Sequence, residues 1–177
     1  MHPEFTLIYP YHTNDRVAKV MTYARKYART DKGRHATPIR TIPRLDLSAH
    51  PTILITDHYV DQDKIRIINF YNDVDNPSSL QSLLTLDLDF MFPTILIGDF
   101  NLHSRSWSPE NIPQSPNANK FESWAADQTF SLQTAPGSIT RRVLRFPLWT
   151  PWHVMRKSLT TMKRPRYGQL RWNMLQK

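Results

Sequence analysis

The feature that most restricts the fold is an apolar run, Thr94-Ile95-Leu96-Ile97, that leads directly into Gly98-Asp99-Phe100-Asn101. An uninterrupted run of β-branched and aliphatic residues suits a strand buried on both faces, as strands are in a sheet covered by helices. Two runs upstream have the same character, Thr52–Thr56 and Ile65–Tyr71. Between the second of these and Thr94 lie a turn-rich loop, Asn72–Ser79, and then Leu80, Leu83, Leu84, Leu86 and Leu88. Their spacing predicts a helix capped by Ser78 or Ser79 and ended by Phe92-Pro93. Strand, helix and strand in succession require a crossover, so the expected class is α/β, with a mixed or parallel sheet under helices. Beyond a polar loop from Gly98 to Pro116, residues 117–128 read as a helix with Phe121, Trp124 and Ala125 on one face. Residues 130–134 read as a further strand.

The two ends are less orderly. Residues 16–27 fit a helix or a strand equally well, and the basic stretch from Thr30 to Arg44, with Pro38 and Pro43, reads as a loop. Residues 143–177 show no clear period and are expected to be irregular. This divides the chain into a basic segment over 1–45, a core over 46–142 and a basic tail over 143–177. Residues 1–45 carry a net +6, residues 46–127 a net −8 and residues 128–177 a net +10. An acidic middle between basic ends suits a metal-binding centre within a surface for a polyanion; solvated tails would give the same count. With no cysteine, disulfides, zinc–thiolate sites and cysteine nucleophiles are excluded. No apolar run approaches the roughly 20 residues that span a bilayer, so the expectation is a soluble, intracellular chain with no membrane partner.

Chemistry concentrates where the strand at 94–97 ends. Ligands of open α/β sheets bind at the carboxyl ends of strands. If extended geometry continued past Gly98, Asp99 and Asn101 would share one face, with Phe100 turned into the core. A carboxylate beside an amide can position a water, orient a phosphate and help to hold a hard cation through oxygen ligands. A pair of turn residues stabilising a loop would look the same at this level.

The run Pro93–His103, with Trp107-Ser108 after it, resembles the Gly-Asp-Phe-Asn motif of the endonuclease/exonuclease/phosphatase superfamily, and most of all the endonucleases of non-LTR (LINE-type) retrotransposons. Ile65–Asn72 is similar to the family strand that ends in a tyrosine near the phosphate. Phe121–Trp124, Leu132–Thr134 and Ile139–Arg142 are similar to the helix, strand and Thr-containing loop that follow. The resemblance implies a two-sheet α/β sandwich with outer helices, here partial. It implies Asp99 as the general base on a water, Asn101 as a hydrogen-bond donor to the scissile phosphate and Tyr71 as a contact to that phosphate or the departing oxygen. His103, Trp107 and Arg141 would line the substrate surface, and Asp99 would also be offered to the metal. The implied cofactor is Mg²⁺ or Mn²⁺, the implied partner DNA and the implied setting the nucleus.

Some of the family's pattern has no counterpart. No early strand with an Asn and no following metal-binding Glu precede residue 16, where Glu4 is the sole glutamate. Residues 143–177 hold no Asp or Glu with which to build a terminal Asp-His, and their change of character resembles a frameshift or a decayed element. Asp57-His58 mimics that terminal pair but lies before the Gly-Asp-Phe-Asn strand, and reads as a loop pair. The expectation is a domain truncated at both ends and catalytically impaired. Two alternatives stand beside it. One is an inactive remnant that binds nucleic acid through its basic ends, with Trp149, Trp152 and Trp172 available for stacking. The other is a superfamily phosphatase.

Overall fold

Asp61 takes a left-handed conformation, φ 55°, which aspartate tolerates better than most residues. It thereby closes a tight hairpin in which Val60 pairs with Asp63. The two strands of that hairpin, which form the centre of the main sheet, are β5 (Ile53–Val60) and β6 (Asp63–Tyr71). In the order of the chain they follow β1 (Phe5–Ile8), β2 (Thr22–Arg25), β3 (Tyr27–Arg29) and β4 (Ala36–Pro43). After them come α1 (Ser78–Leu84), β7 (Thr94–Asp99), α2 (Pro116–Asp127), β8 (Phe130–Leu132) and β9 (Trp152–Lys157). The structure is a computed structural model. It describes residues 3–10, 17–29, 36–88, 91–108, 112–133 and 152–157, the last of these as backbone.

The main sheet runs β3-β4-β5-β6-β7-β9-β8, and β1 and β2 form a separate antiparallel pair. Only β6 and β7 are parallel, joined by the crossover through α1, as strand–helix–strand requires. The rest of the main sheet is antiparallel. One of its faces carries Ile53, Ile55, Ile68, Phe70 and Leu96, which pack with Leu80 and Leu83 of α1 and with Phe121, Trp124 and Ala125 of α2. On the other face Leu54 and the half-buried Tyr71 pack with Ile8, Val20 and Ala24 around the small sheet. Asn69 reaches across, its Nδ2 donating to the Met21 carbonyl at 2.9 Å. This is an α/β sandwich with helices outside one sheet and a two-stranded second sheet among the described residues. No helix among them is long and apolar enough to cross a membrane.

Several expectations from the sequence change. Residues 36–43, read as part of a loop, form β4. Pro38 is tolerated because its neighbour there is the three-residue β3, and Pro43 because it ends the strand. The span from 16 to 27 resolves to strands rather than a helix where it is described. Asp57 and His58 lie not in a loop but inside β5, both buried. The helix at 78 has Pro77, not a serine, at its N-cap, and the Asn76 Oδ1 before it accepts from the Ser78 amide at 3.2 Å and from its hydroxyl at 2.7 Å. Within the tail expected to be irregular, Trp152–Lys157 form a strand between β7 and β8.

Candidate active site

The strand β7 alternates cleanly. Thr94, Leu96 and Gly98 are buried, while Ile95, Ile97 and Asp99 are half-exposed on the opposite face. At its end the backbone comes unusually close to β6. Gly98 has φ 148°, and a Cβ placed there would lie 1.7 Å from the Phe70 carbonyl oxygen, so only glycine permits this approach. Phe100 follows into the core, with its ring centroid 5.6 Å from Phe70 and 4.9 Å from Phe121. These contacts fix the strand end from which Asp99 projects.

The turn after Asp99 departs from the extended geometry considered above. Asn101 lies in the left-handed region, φ 45°, where asparagine is among the few residues that sit readily. The strand therefore stops, and the Asn101 amide turns back to donate to Asp99 Oδ1 at 3.3 Å. Its side-chain Nδ2 donates to the Asn72 carbonyl at 2.8 Å. The Asn72 amide in turn donates to the Asp99 carbonyl at 2.8 Å. Tyr71 is the register partner of Asp99 across the parallel pair, and both project from the face that carries the small sheet. The structure thus gathers Asp99, Asn101 and Tyr71 at the carboxyl ends of β6 and β7.

The other sequence candidates divide. His103 is half-buried, and its carbonyl accepts from the Ser115 amide at 2.8 Å, tying the loop to the start of α2. Trp107 does not line the surface. It is 3% exposed, lies edge-on to Phe121 and donates from Nε1 to the Leu102 carbonyl at 2.9 Å. A tryptophan with its N–H satisfied is a good core residue, and that is its role here. Arg141 lies outside the described residues, as do the Thr-Arg loop and two of the tail tryptophans, Trp149 and Trp172.

A pair unforeseen from the sequence lies beside the site. The Lys19 ammonium is 2.5 Å from Asp73 Oδ2, two residues beyond Tyr71. The only sequence signal was an acid in the loop after the Tyr71 strand, because the lysine comes from 54 positions away.

Among the described residues no three His, Asp or Glu side chains come together to hold a metal ion. At this end of the sheet Asp99 stands beside an amide, and the carboxylate of Asp73 is engaged by Lys19. That set does not make a Mg²⁺ site by itself, since Mg²⁺ demands near-octahedral oxygen ligation.

At the far end of the same strands the chemistry is structural. Asp57 is fully buried and is held by Arg66 (Nε, 2.7 Å), Arg44 (2.7 Å) and Lys64 (2.9 Å). Burial alone would raise its carboxyl, but the bonds from Arg66, Lys64 and Arg44 outweigh it and hold the group below the ordinary carboxylate range. His58, between Thr41 Oγ1 and Thr56 Oγ1 at 3.1 and 2.9 Å, is pushed down to about 4 by burial, opposed by the Asp57 charge.

The sequence pattern of the endonuclease–reverse transcriptase family matches residues 65–145, which include most of β6, all of β7 and the Asp99 turn. Among solved structures the chain is similar to the endonuclease domain of TRAS1, a telomere-specific non-LTR retrotransposon. The TM-score is 0.58 and the identity 11%, over 87% of this chain and 67% of that one. At that identity the likeness is one of fold. No curated protein matches the chain. The chain is thus similar over residues 65–145 to the endonuclease–reverse transcriptase family, and in fold to a non-LTR retrotransposon endonuclease domain.

Proposed function

We propose that this chain is a metal-dependent DNA phosphodiesterase domain of retrotransposon type whose cleavage activity on its own is weak or absent. The observation that carries the reading is the Asp99 turn, where a carboxylate, the folded-back Asn101 and Tyr71 meet at the carboxyl end of two parallel strands. Asp99 orients the attacking water and takes its proton. Asn101 commits one Nδ2 proton to Asn72 and directs its remaining amide donor to a phosphate oxygen. Tyr71 contacts the same phosphate or the departing oxygen, and His103 lies beside the site. The family resemblance brings a requirement for Mg²⁺ or Mn²⁺. The described residues do not by themselves build a site for that ion. The weak activity follows from the same shortfall, since missing charge stabilisation at a developing oxyanion typically costs about 10²–10³ in rate.

The test is nicking of supercoiled plasmid by the purified chain in Mg²⁺, with Asp99→Ala and EDTA as controls. The expected result is slow nicking, or none, with any nicking lost in both controls. Rapid nicking that depends on Asp99 would keep the nuclease assignment and refute the impairment. Steeply salt-dependent DNA binding without any cleavage would favour an inactive nucleic-acid-binding remnant. Hydrolysis of soluble phosphate esters would favour a phosphatase.

A further inference from the structure

The cation beside the site comes from a part of the chain with no share in the Gly-Asp-Phe-Asn motif. The Lys19 amide donates to the Pro51 carbonyl at 2.9 Å, and the next residue, Val20, is buried in the cluster that includes Leu54 and Tyr71. The backbone at Lys19 is therefore anchored against the Tyr71 side of the sheet. Its ammonium ends on Asp73 Oδ2, and the residue before Asp73 is Asn72, which is hydrogen-bonded to Asp99 and Asn101. The two partners differ in exposure. The Asp73 side chain is 9% exposed and the Lys19 side chain 47%, so the carboxylate fixes an ammonium whose other donors face water.

The surroundings give that cation a use. Asp99 lies at these strand ends and Asp73 and Asp75 act on Lys19 beside them, and carboxylates grouped in this way repel a polyanion. Asp73, most strongly, and Asp75 act to keep Lys19 charged. We propose that Lys19, held in place by Asp73, contacts a backbone phosphate of DNA next to the phosphate presented to Asp99 and Asn101. This rests on the phosphodiesterase reading above. Lys19 is the contact, and Asp73 its ion-pair partner in the free chain.

The experiment is fluorescence anisotropy with a labelled duplex, in EDTA, across a salt series, using the full chain. Variants are Lys19→Gln, Lys19→Arg, Asp73→Asn and Lys120→Gln, the last on the exposed side of α2. One lost phosphate contact lowers the slope of log K against log salt by about 0.9. We expect that fall in Lys19→Gln, an unchanged slope in Lys19→Arg and Lys120→Gln, and undiminished binding in Asp73→Asn, which keeps the cation. Lys19→Met, which keeps the packing of the stem, gives the same reading if Lys19→Gln does not fold. An unchanged slope in Lys19→Gln, an equal fall in Lys120→Gln or in Asp73→Asn, or no binding of duplex at all would overturn the proposal. Nicking that depends on Asp99 is read separately in Mg²⁺, so loss of the nuclease assignment and loss of the Lys19 contact are distinguishable.

Discussion

Asp57→Asn, although nearly isosteric, should be strongly destabilising. The carboxylate is fully buried and takes bonds on both oxygens: Arg66 Nε on Oδ1, and Arg66 Nη2, Arg44 and Lys64 on Oδ2. An amide in its place offers one oxygen and turns N–H donors toward guanidinium or ammonium donors at the other position. The three cations differ in their ability to escape. Arg44 and Lys64 have side chains 27% and 21% exposed and can relax into water, whereas Arg66 is 2% exposed and cannot. Stranding one buried charge in this way costs about 3–5 kcal/mol, a large part of the 5–15 kcal/mol that a domain has in total. Urea unfolding of wild type and variant, at equal slope, measures the loss directly. The double change Asp57→Leu with Arg66→Met removes both charges and should be less destabilising than Asp57→Asn alone. A loss below about 1 kcal/mol for Asp57→Asn, or a double variant no better than the single, would refute the reasoning from trapped charge.

Two other changes have clear expected outcomes. Gly98→Ala places a Cβ 1.7 Å from the Phe70 carbonyl oxygen at a positive φ; backbone strain and overlap together should cost about 3 kcal/mol or more, read as a lowered thermal midpoint. His58 has a folded pKa of about 4 against roughly 6.5 when unfolded, so the unfolded chain takes its proton first as pH falls. Its share of stability is intact above the unfolded value and is lost between the two, by about 3 kcal/mol. His58→Gln should flatten the pH dependence of unfolding free energy across that window, and an unaltered profile would count against a neutral buried imidazole.

What could be read from the residues follows from how each segment is buried. The strands at 53, 65 and 94 and the helix over Phe121 and Trp124 were legible, because their apolar runs and spacings reflect contact with one core. The extension of β5 through Asp57 and His58 was not, because those polar residues are satisfied only once the strands pair, by Arg66 on β6, Arg44 just after β4 and Thr41 on β4. Trp107, which the family resemblance put on the substrate surface, is a core residue because Phe121 and the Leu102 carbonyl supply its surroundings. The Asp99–Asn101 motif was recognisable, but the left-handed turn that defines their geometry was not.

The peptide around Asn72 is gripped from both sides by the end of β7, its N–H on the Asp99 carbonyl and its C=O on the Asn101 side chain. The loop after Tyr71 and the turn after Asp99 therefore form one rigid unit. A ligand arriving there would meet groups already in their working positions, and little ordering entropy would be lost when it docks. In the proposed phosphodiesterase, such preorganisation would let a small constellation orient a phosphate without first having to assemble.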